Sequence, residues 1–73
     1  MHVKQIMAIG AVTVEQQDSV AKAAQLMKLQ NVGMLVVMGP AGPQGVVTDR
    51  DLLTGCVGHG DNPKTCVVGD HTS

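Results

Sequence analysis

The sequence predicts a small α/β domain with the order strand, helix, strand, strand, helix: a three-stranded sheet covered by two helices on one face. Three observations carry this. Between Ser19 and Gln30, apolar residues recur at helical spacing. Two short Val-rich runs, "MLVVM" and "QGVVT", flank the turn signal "GPAGP". After Thr48, "DRDLLTGCV" returns to helical spacing.

Each element follows from local chemistry. "AVTV" (11–14) alternates around Thr13 and reads as a short strand. Asp18 or Ser19 supplies a side-chain oxygen to cap the next helix. In that helix Val20, Ala23, Ala24 and Met27 fall at i, i+3, i+4 and i+7, one face of a 3.6-residue repeat. Lys22, Gln25 and Lys28 take the solvated side, and Asn31 and Gly33 suit its end. "MLVVM" (34–38) is a continuous apolar run of strand length, expected to be buried on both faces. "GPAGP" (39–43) is expected to form a five-residue loop, and "QGVVT" (44–48) the return strand of an antiparallel hairpin. Leu52, Leu53, Cys56 and Val57 mark the apolar side of the second helix, ended by Gly58 and Gly60. "HGDNP" (59–63) reads as a linker. "HVKQIMA" (2–8) reads as a helical turn or an extended lead-in.

Composition narrows the function classes. A chain of 73 residues is one domain at most, and burying a copy of itself or a further segment would help it. Phe, Tyr and Trp are absent, so there is no aromatic platform for stacking nucleic-acid bases. Five Lys/Arg against six Asp/Glu give a net charge of −1, which does not support phosphate-backbone binding. No apolar stretch approaches the length of a membrane span, and "MHVKQIMAIG" lacks a signal-peptide block, so a cytoplasmic location is expected. In that compartment Cys56 and Cys66 are not expected to form a disulfide framework.

Taken together, "VTV", the helix with "AAQLM", "NVGMLVV", the turn and "GVVTDRDLL" resemble a cystathionine-β-synthase (CBS) domain over residues 3–58. Such domains come as tandem pairs called Bateman modules. "VGDHTS" (68–73) can be set beside "VKQIMA" (3–8), with Val68 matching Val3 and Asp70 matching Gln5. The expected organisation is therefore a CBS domain over 3–58, a linker over 59–65 and the start of a second repeat over 66–73. The resemblance implies a regulatory ligand-sensing module and not an enzyme. It requires no cofactor, with AMP, ADP, ATP or S-adenosylmethionine as the candidate regulatory ligand. The family's motif is Gly, apolar, any, Thr or Ser, any, any, Asp or Asn. It is matched at Gly45, Val46, Thr48 and Asp51. By that carry-over Asp51 accepts from ribose hydroxyls and Thr48 donates to a phosphate. Arg50 adds charge-assisted phosphate contacts, and Val12, Thr13, Met34 and Leu35 face the adenine.

Plainer readings compete at each position. "TDRD" has the form of a helix capping box, whose hydrogen bonds need no ligand. The two roles are compatible, because a capped helix start also presents backbone N–H groups to anions. Cys56, His59, Cys66 and His71 have the spacing C-x2-H-x6-C-x4-H, which matches no common zinc finger. No metal site is expected, and Cys56 reads as a buried small apolar residue. The methionines read as core filler. No nucleophile–base pair with an orienting third group is apparent. The alternative to ligand sensing is a structural dimerisation module, in which two copies pack sheet against sheet.

Overall fold

The computed structural model of the chain describes residues 11–72. The lead-in at 2–8 and the first residues of the 3–58 domain lie outside the described residues. Strand β1 spans Thr13–Glu15, helix α1 Val20–Gln30, strand β2 Met34–Gly39, strand β3 Gly42–Thr48 and helix α2 Asp49–Gly55. Two short 3-10 turns follow, Val57–His59 and Val68–His71. The order is the expected strand, helix, strand, strand, helix.

The sheet runs β1-β2-β3, with β1 parallel and β3 antiparallel to β2. The "MLVVM" strand is therefore central, with no bare edge of its own. Thr13, Val36 and Val46 form one rung across all three strands. Val14, Leu35, Val37 and Val47 point to one face and join Val20, Ala23, Met27, Leu52 and Cys56 from the helices. Both helices thus cover the same sheet face, as the fold class requires. On the opposite face Val36 is also fully buried, Val46 is half-buried and Met34 is partly exposed.

Helix α1 begins where Ser19 Oγ accepts from Lys22 N at 3.1 Å. Asp18 instead accepts from Glu15 N at 3.0 Å and pairs with Lys22 Nζ at 3.3 Å. The helix stops at Asn31, whose φ of 54° and ψ of 48° are left-handed. Asn tolerates that region better than most side chains. Ala24, expected on the buried face, is exposed. It lies at the rim of the apolar arc and lines a groove between the helices, outside the core.

The hairpin is tighter than expected. Gly39 pairs with Gly42, so Pro40 and Ala41 alone make the loop, and β3 starts two residues before Gln44. Gly42 supplies the positive φ, 110°, that this turn needs. The register then steps between Val37 and Met38, where β3 inserts Gln44. Pro43 is tolerated because β3 is an edge strand.

Helix α2 is shorter than its apolar pattern. It ends at Gly55, and of its expected apolar side Leu52 and Cys56 are buried while Leu53 and Val57 are exposed. The chain then folds back. Asp61 N donates to Cys56 O, Ala21 N to Pro63 O, and Val20 N to Cys66 O. Val67 bridges Ser19, and Val68 is fully buried in the core. This return brings Cys66 to Cys56, and the two form a disulfide across a Cα–Cα distance of 6.4 Å. The expectation of unlinked cysteines is thereby corrected. It rested on compartment, whereas the fold-back juxtaposes the two residues directly.

Candidate functional site

The motif lies where β3 runs into α2. Gly45 is buried and pairs with Val37, and Thr48 ends the strand opposite Met34. Thr48 then caps α2 in a complete capping box. Its Oγ1 accepts from Asp51 N at 3.1 Å, and Asp51 Oδ2 accepts from Thr48 N at 2.9 Å. The box forms because Thr48 has extended backbone angles while Asp51 already sits in the first turn. Asp49 N donates to Gly33 O at 3.1 Å, tying the helix start to the loop that enters β2. Asp49 Oδ1 accepts from Arg50 N. The Arg50 residue is exposed and projects from the first helical turn.

The remaining candidate residues divide by strand alternation. Thr13, Met34, Val46 and Thr48 share the sheet face away from the helices, at successive rungs of the register. Leu35 belongs to the helix-covered core and is fully buried, and Val12 packs half-buried against that core. The Leu35 side chain is therefore committed to packing. Thr13, Met34 and Val46 lie on the same sheet face as Thr48.

Three depressions among the described residues border this junction or lie away from it. An open one of about 410 Å³ beside Arg50 is lined by Asp49, Arg50 and Leu53. A second, of about 240 Å³, runs between the helices along Val20, Ala24, Met27, Leu52, Leu53, Val57 and Pro63. The third, of about 320 Å³, is lined by Gln16, Gln17, Val67, Gly69 and Asp70. That last one lies at the opposite end of the sheet, since Gln16 N donates to Met38 O while Thr48 pairs with Met34. None of the three is lined by Gly45, Thr48 or Asp51. The disulfide, which sequence reasoning did not anticipate, lies at the far end of α2 from the motif.

Comparison with known proteins agrees with this architecture. Residues 3–58 match the family described as CBS domain. The chain is 42% identical over 52 residues to the uncharacterized protein MJ1404 of Methanocaldococcus jannaschii, covering 70% of this chain and 12% of that protein. It is 34% identical over 65 residues to the CBS domain-containing protein YhcV of Bacillus subtilis, covering 89% of this chain and 46% of that one. The chain thus spans less than half the length of either curated relative. A crystal structure of a cystathionine beta-synthase domain protein fused to a Zn-ribbon-like domain superposes with a TM-score of 0.81 at 35% identity. That match covers 86% of this chain and 90% of the other. The CBS domain protein PAE2072 from Pyrobaculum aerophilum, complexed with AMP, superposes at 0.75 with 18% identity, covering 86% of this chain and 49% of the other. With residues 3–58 matching the family model and the β-α-β-β-α fold shared with solved CBS-domain structures, this chain belongs to the CBS domain family.

Proposed function

We propose that the chain is a regulatory module that senses an adenine nucleotide or S-adenosylmethionine at the Gly45–Asp51 junction. The observation that carries this is the strand-to-helix turn itself. Within four residues it holds a hydroxyl (Thr48), a carboxylate (Asp51) and a guanidinium (Arg50), beside the sheet face of Thr13, Met34 and Val46. A carboxylate has about four acceptor positions, so one group can serve both the bond from Thr48 N and a pair of ribose hydroxyls. Thr48 keeps a hydroxyl proton to donate while its oxygen accepts from Asp51 N. Arg50 supplies the positive charge that a phosphate requires. The AMP complex of PAE2072 is a likeness in fold, and it makes AMP the natural first ligand to test.

Residues 59–65 as a linker and 66–73 as the opening of a second repeat complete this reading. Ligand bound between repeats would shift how they pack, which is how occupancy becomes a signal. The test is a dye-based or circular-dichroism melt with millimolar AMP, ADP, ATP or S-adenosylmethionine. A ligand that binds only the folded state raises Tm in proportion to RT ln(1 + [L]/Kd). A rise with one of the four supports sensing, and no rise with any of them removes it for this chain.

A structural dimerisation module is the second reading, and one observation favours it. Leu29, Leu53 and Val57 are 79%, 60% and 47% exposed, on or beside the helices. These apolar side chains lie on the helical side of the domain, whereas sheet-against-sheet packing would draw on the face of Met34 and Val46.

A further inference from the structure

We propose that Cys56–Cys66 is a thiol–disulfide exchange site, opened by a small thiol or a protein dithiol at Cys66. Its reduction would release the 61–72 segment from α2. The argument starts with placement. Cys56 is fully buried at the C-cap of α2, and Cys66 is half-buried at the margin of the core. An attacking thiolate needs access to one sulfur, and the more exposed residue is Cys66. The thiolate of RSH attacks the Cys66 sulfur, forming R–S–S–Cys66 and expelling Cys56 as a thiolate that takes up a proton. A second RSH then attacks the R sulfur, releasing the Cys66 thiol and RSSR. Electrons balance: the protein disulfide is reduced by two and the two thiols are oxidised to one disulfide.

The consequence follows from what the bond spans. The two cysteines are ten residues apart, and the returning segment is anchored mainly to the start of α1 and the turn before it, with the disulfide as its covalent tie to α2. Asp61 N donates to Cys56 O at the end of α2, whereas Ala21 N donates to Pro63 O, Val20 N to Cys66 O, Val68 N to Asp18 O and Gly69 N to Gln16 O, all away from α2. The β2–β3 hairpin carries a full ladder and makes no use of the disulfide. Reduction therefore acts on one end of the domain. That end is connected to the Thr48–Asp51 box through α2, a helix of seven residues and about 10 Å.

The test compares the intact 73-residue chain, oxidised and then treated with millimolar glutathione or dithiothreitol without denaturant. Free thiols are trapped by alkylation and located by peptide mass spectrometry. The expected result is reduction under native conditions, with glutathione trapped on Cys66. Hydrogen exchange of residues 56–72 should then speed by at least tenfold more than that of 34–48, whose rise follows only the global loss of stability, and Tm should fall by about 10–20 °C. Three results overturn the proposal: no reduction until the chain is unfolded, glutathione trapped on Cys56, or exchange that rises equally throughout. The paired variant Cys56→Ala/Cys66→Ala gives a check without reagents. Its 56–72 exchange should match that of the reduced chain, and exchange equal to that of the oxidised chain would likewise overturn the proposal.

Discussion

At the scale of single residues, Thr48 and Asp51 carry two kinds of work that can be separated by substitution. Thr48→Ala removes the side-chain acceptor for Asp51 N and should cost about 1 kcal/mol, a fall in Tm of about 4–8 °C. Thr48→Ser should restore most of it in the same thermal melt. Asp51→Asn keeps an oxygen acceptor for Thr48 N but loses the charge. If Asp51 matters for ligand, Asp51→Asn should lose nucleotide binding while its melting point in buffer stays within a few degrees of wild type. A matched loss of both would mean that Asp51 serves the helix alone. Asn31 offers a further residue-level test. Its left-handed backbone predicts that Asn31→Gly is neutral or mildly stabilising, while Asn31→Ala costs about 1 kcal/mol, both read by chemical denaturation.

At the scale of elements, much of the fold was legible because each signal was local. The 3.6-residue recurrence from Val20 to Met27 marked α1, with Asp18 or Ser19 at its start and Asn31 and Gly33 at its end, and the structure takes Ser19 and Asn31 as the caps. "TDRD" was legible as a capping box because the four residues that make it are contiguous. What was not legible depends on residues distant in sequence. Cys56 and Cys66 carry no pairing signal until the chain folds back and Val68 enters the core. The hairpin loop was misjudged because the bulge at Gln44 lets β3 start earlier than its apolar run. The motif's position at the end of β3 was legible, but its side-chain surroundings were not, since Leu35 and Met34 part to opposite faces by strand alternation. The return segment can be tested directly. Val68→Ala should destabilise by about 2 kcal/mol, as expected of a core residue and not of a solvated tail, and a denaturant melt reads it.

At the scale of the whole molecule, a small chain without aromatic residues has limited surface to bury. Among the described residues its main core cluster is ten side chains from the sheet, both helices and the return segment, joined by the Cys56–Cys66 disulfide. No helix among the described residues is long and apolar enough to cross a membrane. Leu29, Leu53 and Val57 remain on its helical side, and a second copy covering them predicts a melting point that falls on dilution. Leu53→Glu should abolish that concentration dependence in sedimentation and melting experiments, while the β2–β3 hairpin keeps its exchange protection. The central claim is the location of ligand at the Gly45–Asp51 junction. It is tested most directly by titrating AMP into the ¹⁵N-labelled chain and following its amide resonances. The account predicts saturable shifts concentrated at Gly45–Asp51 and at Thr13 and Met34, lost in Asp51→Asn. Saturable shifts centred elsewhere, or none at millimolar AMP and S-adenosylmethionine, would contradict it.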